Sequence, residues 1–124
     1  MDVEVIETSP LDGLEGLEPA LLNAFRRTRT AVMAGRPVVT VVRDADLLGH
    51  GEPADAALAN ALVGLMRAFA TEGVRDGWTV NALAVVDDIG DLARAAWIER
   101  LAQSDGARGA LVRLGDLHLG RVPV

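Results

Sequence analysis

From Ala54 to Glu72 the large apolar residues Leu58, Leu62, Leu65 and Phe69 recur at steps of four, three and four, which places them on one stripe of a helix. A second stripe, Ala57, Ala61, Gly64 and Ala68, runs beside it and carries only small side chains. Charge is confined to Asp55, Arg67 and Glu72, so the segment is apolar around most of its circumference. A helix of that kind is covered on two sides. One cover is a sheet. In a chain of 124 residues the other is expected to be a second subunit, which the small side chains would let approach closely. The rival expectation is a neighbouring helix of the same chain. Gly73 is expected to end the helix, as glycine commonly does. Thr79 to Val86 then runs apolar over the length of a strand buried on both faces.

The rest of the chain extends this pattern. Met1 to Glu7 alternates, with Val3 and Val5 on one side and Asp2, Glu4 and Glu7 at exposed positions, as on a charge-protected edge strand. Ser9 to Glu18 reads as a connecting loop. Pro19 is expected in the first turn of a helix reaching Met33, with Leu21, Leu22, Phe25, Thr28 and Val32 on its core face. Arg26, Arg27 and Arg29 then fall outside, solvated or paired with the acidic loop. Gly35 ends that helix, and the β-branched run from Pro37 to Arg43 is a buried strand. Asp44 to Pro53 is a loop. After an acidic turn at Asp87–Asp91, a helix runs from Asp91, read as its N-cap, to Gln103, with Leu92, Ala95, Ala96, Ile98, Glu99 and Leu101 at helical spacing. Gly106 to Gly109 is a turn, Ala110 to Leu114 a last strand, and Gly115 to Val124 a tail. The order β-α-β-α-β-α-β with short connections predicts one α/β domain over residues 1–124. It is a truncated Rossmann-like three-layer sandwich of about four parallel strands with helices on both faces.

Composition narrows the chemistry. Half of the residues are hydrophobic, yet only two Trp and two Phe are aromatic, so the core is Leu, Val and Ala. There is no cysteine, which removes thiol chemistry and disulfides, and no tyrosine. A net charge of −6 argues against nucleic acid as a partner. No run has the length of a membrane span, and the acidic N-terminus is unlike a signal or transit peptide, so the expectation is a cytoplasmic protein with no membrane partner.

Residues Ala61 to Glu72, reading Ala-Leu-Val-Gly-Leu-Met-Arg-Ala-Phe-Ala-Thr-Glu, and the following Val80-Asn81-Ala82-Leu83-Ala84 resemble the C-terminal half of a short-chain dehydrogenase/reductase. There a helix opening with Tyr-x-x-x-Lys runs through Ala-Ala-Leu-x-Gly-Leu-x-Arg-Ala-Leu-Ala-x-Glu into a strand Val-Asn-x-Val-x-Pro-Gly. Gly35 to Val42 resembles the strand that leads to the family's catalytic serine, and Ser104–Asp116 its closing strand and turn. The resemblance implies an oxidoreductase fold, but the positions it assigns to chemistry are altered. The serine position falls near Val42, the tyrosine position on Asp55 and the lysine position on Ala59. An aspartate titrates near 4, is shorter than tyrosine, and cannot serve as its acid/base equivalent. Glu7-Thr8-Ser9-Pro10 stands in place of the Asn-Asn-Ala-Gly turn, and Val85-Val86 in place of Pro-Gly. The Gly-rich dinucleotide turn has no counterpart in these residues. The expectation is therefore no catalytic residue, no cofactor and no metal. What is kept is the part with which family members assemble, here about Glu18–Met33, Asp55–Thr71 and Asp91–Leu114. The implied interface residues are Ala57, Ala61, Gly64 and Ala68 on one helix, with Phe25 and Arg29 on the other.

Other chemistry is thin. Asp116 and His118 offer two metal ligands with no third nearby. His50 lies in an acidic loop, Ser9 and Ser104 have no histidine placed for a triad, and Asp87–Asp88 reads as a solvated turn. The leading functional expectation is a non-catalytic protein that acts by assembly, as a homo-oligomer or as an accessory subunit beside a full-length dehydrogenase. One alternative is an oxidoreductase active only in complex, the partner supplying the NAD(P) site and the tyrosine. Another is a small-ligand-binding dimer using the crevice near Val42–Asp46 and Val85–Asp88.

Overall fold

The computed structural model of the chain describes residues 2–103 and 106–115. Two strands decide its shape. β2 (Val38–Arg43) and β3 (Val80–Val85) are buried along nearly their whole length on both faces. They pair in parallel with Val38 opposite Val80 and Arg43 opposite Val85. β1 (Glu4–Glu7) adds to the outer side of β2 and β4 (Leu111–Leu114) to the outer side of β3, both in parallel, giving the order β1-β2-β3-β4. Helices α1 (Leu17–Met33) and α3 (Pro53–Glu72) pack on one face against Ile6, Val38, Val42, Val80 and Ala82. Helix α4 (Asp91–Gln103) covers the other face, with Ile98, Leu101 and Ala102 on Val39, Val41 and Leu83. The parallel sheet with helices on both sides is the architecture expected from the alternation of strand and helix patterns.

Several local expectations are corrected. The buried stripe of α1 is Ala24, Thr28, Ala31 and Val32, whereas Leu22 and Phe25 remain 43% and 42% exposed. The small residues let α1 lie close to the sheet, and that rotation turns the large ones outward. In α4 the core stripe is Ile98, Leu101 and Ala102. Leu92 is 88% exposed and Ala95 and Ala96 face solvent, because the helix begins beyond the sheet's edge of cover. Asp91 is the first helical residue, and the carbonyl of Gly90 accepts the Arg94 N–H at 3.1 Å in the capping place. A four-residue helix α2 (Asp44–Leu47) occupies what reads as loop. Glu4 is not a solvated edge charge: its side chain lies under α1, bonded by Arg27 and Arg36. Arg27 therefore pairs with β1 rather than with the acidic loop.

Two glycines end helices for different reasons. Gly35 follows α1 at φ +75°, and the Arg36 N–H reaches back to the Ala31 carbonyl at 2.9 Å, a Schellman turn that needs the left-handed residue. Gly73 follows α3 at φ −88°, where any residue could sit. It is small because Trp78 lies on it: a Cβ there would fall 2.4 Å from the indole ring. Trp78 in turn meets Phe69 of α3 at 6.2 Å, and Phe69 meets Phe25 of α1 at 5.4 Å, so one aromatic row fixes α1 against α3.

Asn81 is the one fully buried polar side chain of β3. Its amide nitrogen donates to the Ala107 carbonyl at 2.8 Å, and its oxygen accepts the Ala110 N–H at 3.0 Å. It thereby sets the loop that feeds β4. Replacing Asn81 with Ala removes the acceptor for a part-buried N–H, which costs about 1–3 kcal/mol. We expect a matching fall in the urea midpoint, with amide exchange in β4 accelerated more than in β2. Equal acceleration across the sheet would mean that Asn81 does not anchor β4 in particular.

Candidate functional site

The carboxyl ends of β1 and β2 meet the first turns of α3 in a crevice. It is lined by Glu7 to Pro10 after β1, by Val41 to Arg43, by Asp46, and by Asp55, Leu58 and Ala59 of α3. The three positions singled out from the sequence, Val42, Asp55 and Ala59, thus come together around one cavity, although they belong to different elements. Val42 and Ala59 are buried and offer no polar atom. The Asp55 carboxylate accepts the Leu11 N–H at 2.8 Å and so holds the loop that follows β1 against the start of α3. The cavity measures about 40 Å³. That accommodates roughly two or three waters, against roughly 300–1,000 Å³ for a small-molecule site.

A second concavity lies on the outer side of the helical pair. Glu18, Leu21, Leu22 and Phe25 of α1 face Ala61, Gly64, Leu65 and Ala68 of α3 across an open groove of about 520 Å³. Its walls are apolar apart from Glu18. Of the interface candidates, Phe25, Ala61, Gly64 and Ala68 line this groove. Ala57 and Arg29 are exposed on the same two helices but outside its lining. A Cβ built on Gly64 meets nothing within 4 Å, so this position of the small stripe faces open space. Leu21, Leu22 and Leu65 were not among the candidates. The signal for the first two was the run Ala24–Thr28–Ala31, a small-residue stripe of the same kind as that on α3.

Comparison with known proteins bears on the fold. No family model matches the chain, and no curated protein does. Solved structures do match. An acetoin dehydrogenase from Enterobacter cloacae superposes with a TM-score of 0.66 at 18% identity, covering 92% of this chain and 62% of that one. An acetoin dehydrogenase from Salmonella typhimurium gives 0.61 at 15% identity, with 90% and 62% covered. A 3-hydroxyacyl-CoA dehydrogenase type-2 from Mycobacterium avium gives 0.54 at 19%, with 82% and 51% covered. The chain thus shares its α/β fold with part of each of these dehydrogenases. The chain spans less than two thirds of the length of each of these dehydrogenases.

Around the crevice of this dehydrogenase-like fold, charge holds the strand ends together. Arg43, the last residue of β2, donates from Nε and Nη2 to the two Asp87 carboxylate oxygens at 3.1 Å each, bridging to the turn after β3. Its Nη1 lies 3.6 Å from Asp46 Oδ1. Arg113 of β4 donates to the buried Asp44 at 2.8 Å, and Arg94 of α4 pairs with Glu7. Asp87 is therefore engaged rather than part of a free acid pair with the exposed Asp88. His50 is exposed. Among the described residues no group of three or more His, Asp or Glu is placed to hold a metal ion. Asp116, His118 and Ser104 lie outside the described residues.

The two carboxylates beside Arg43 are shifted in opposite directions. Arg43 lowers Asp87, first through their hydrogen bond and then through its charge. Burial raises Asp46 from its ordinary value; Arg43 opposes this, and Asp55 and Asp87 add to it. Asp46 Oδ1 is buried without a hydrogen-bond donor and sits against Gly51. A carboxyl raised in the folded state contributes stability that is fully present below its unfolded pKa and is lost as pH rises through its folded one. Asp87, being lowered, does the reverse: its contribution is present above the ordinary range and lost as the pH falls. Replacing Asp46 with Asn removes only the first effect. We expect its stability relative to the native protein to rise as the pH climbs from the ordinary aspartate pKa, then to level off, as read from urea unfolding at a series of pH values. A relative stability that falls over the same interval would show that Arg43 outweighs the burial of Asp46.

Proposed function

We propose that this chain acts by assembly and not by catalysis, and that the groove between α1 and α3 seats a second chain. The observation that carries this reading is the contrast between the two concavities. The crevice is about 40 Å³ and has Val42, Asp55 and Ala59 at the positions equated with a serine, a tyrosine and a lysine. The groove is about 520 Å³, apolar, and open along the small side chains of α3. A homo-oligomer satisfies this surface, and so does a hetero-oligomer in which the chain stands beside a full-length dehydrogenase as an accessory subunit. No cofactor is assigned to it. No described helix is long and apolar enough to cross a membrane.

The fold similarity to dehydrogenases favours a second reading, in which the complex is an oxidoreductase and the partner supplies the NAD(P) site and the acid/base tyrosine. The third, a small-ligand-binding dimer, is disfavoured by the volume of the crevice. Titration of the isolated chain with NADH and NADPH, followed by nicotinamide fluorescence, separates the first two from a free-standing enzyme: no change is expected. Saturable binding would return the crevice to consideration.

The assembly itself is tested at Gly64. Because a side chain there enters open space, Gly64→Glu leaves the fold intact. A carboxylate placed in an interface without a partner costs about 3–5 kcal/mol, which raises the dissociation constant roughly a hundred- to several-thousandfold. We expect native mass spectrometry and light scattering to show the variant as a monomer with unchanged circular dichroism. Ala61→Glu is expected to act in the same direction. A native mass retained by both variants would remove the groove from the interface. A full-length dehydrogenase that copurifies with the native chain and is lost with Gly64→Glu would select the hetero-oligomer.

A further inference from the structure

The α1 flank of the groove carries an acid at one end and, just past the lining, an arginine at the other. Glu18, Leu22, Phe25 and Arg29 follow one another at steps of four, three and four, so they form one line along the helix. All four are exposed. The two charges stand about 16 Å apart at the helical rise, with only apolar side chains between them. Among the described residues neither Glu18 nor Arg29 has an ion-pair partner, the exposed Glu72 at the end of α3 included.

Such a line has the same spacing in both directions. Reversed, it sets an arginine where the original has an acid, and Leu22 where the original has Phe25. The small stripe of α3 behaves alike: Ala61, Gly64, Ala68 and Thr71 recur at steps of three, four and three, so reversal sets Gly64 on Ala68. The two centres of reversal are also level. α1 and α3 each run from the carboxyl end of one strand to the amino end of the next parallel strand, so they point the same way. Phe25 lies beside Phe69, with ring centroids 5.4 Å apart. The midpoint of the α1 line, between Leu22 and Phe25, therefore stands beside the part of α3 between Gly64 and Ala68.

We infer that the second chain in the groove is another copy of this one, laid antiparallel about a two-fold axis, with Glu18 of each copy against Arg29 of the other. The pairing rests on the groove being an interface, as proposed above, and adds its occupant and its register. A two-fold contact needs a surface that matches its own reverse, and this one does so in charge, in side-chain size and in position. An unrelated partner needs no such symmetry. A parallel pairing of two copies would set Glu18 on Glu18 and Arg29 on Arg29, and like charges brought together oppose association. The small stripe lets the helices approach, and the unlike ends fix which way round they lie.

Charge reversal tests the register. Glu18→Arg and Arg29→Glu are made singly and together in the full chain, and association is followed by sedimentation and native mass spectrometry over a range of concentrations. In either single variant two rim pairs turn from attraction to repulsion, and the dissociation constant is expected to rise about tenfold. An equimolar mixture of the two single variants restores unlike charges at both ends, and so does the double variant; both should return to the native affinity. Recovery in the double variant also shows that neither change unfolded the chain. Added salt should weaken the native pairing and relieve the repulsion in the single variants. Gly64→Glu separates the two ways of failing. If it is a monomer while the single charge variants keep the native dissociation constant, the groove seats a chain in another register and only this inference falls. If it keeps the native mass, the groove is no interface and the inference falls with it. Weakening by the single variants without rescue in the mixture would also overturn it, as would a native chain that is monomeric alone and associates only with a different protein.

Discussion

Val38 to Val42 and Val80 to Ala84 have no side that faces water. Every one of these residues is buried, and they lie at the centre of a sheet, so the chain must supply cover above and below them. That requirement sets the rest of the architecture. A parallel pair of this kind cannot be closed by a hairpin; each return needs a helix, and successive right-handed crossovers place helices on the faces that need them. Helices α1 and α3 meet the demand on one side and α4 on the other. With both helices of the first side committed by their inner stripes, their outer surfaces are left facing outward, and the groove between them is a consequence of the core rather than a separate feature.

The strand ends obey a second constraint, which is electrostatic. Each parallel strand brings its carboxyl end to the same margin of the sheet, and the acidic residues gathered there would repel one another. The structure answers with arginines drawn from different elements: Arg43 of β2 to Asp87, Arg113 of β4 to Asp44, and Arg94 of α4 to Glu7. Asp55 is the exception, satisfied by a backbone N–H. Taken together these pairs close the margin where such folds bind ligands and leave only a small void. Asp46 is the residue that gains least, being buried beside Arg43 without a hydrogen bond of its own.

The parts of this arrangement that could be read from the sequence are those that rest on local repetition. The β-branched run at β2 and the four-three-four spacing in α3 have a period, and each was read as the structure has it. The sheet order follows from chaining them. The failures have equally local causes. In α1 two stripes of apolar character overlap, Leu21–Leu22–Phe25 and Ala24–Thr28–Ala31, and periodicity alone cannot say which turns inward; distance to the sheet favours the smaller one. In α4 the alanines blur the pattern until Leu92, Ala95 and Ala96 look like core. The four residues of α2 are too few to show any period. Nothing in the sequence neighbourhood of Glu4 announces a partner 23 residues away in Arg27, nor does that of Asn81 announce the turn at Ala107–Ala110. The positions Val42, Asp55 and Ala59 were placed on one site through a family resemblance, since no spacing rule links a strand end to the first turn of a distant helix.

The two concavities also differ in what binding would require of the protein. To widen the crevice, a ligand would have to separate Asp55 from the Leu11 N–H, a part-buried hydrogen bond to a charged partner of about 1.5–3 kcal/mol, or pull the exposed Arg43 from Asp87. Those losses come off the binding energy before any contact is counted. At the groove nothing has to be broken. Gly64 faces open space, Phe25 is already turned outward and held by Phe69, and the walls are set by helices whose other sides are locked into the core. A surface that is apolar, preformed and rigid binds with little reorganisation. On energetic grounds, then, the assembly proposed along α1 and α3 asks less reorganisation of the chain than enclosing a small molecule at the ends of its strands would.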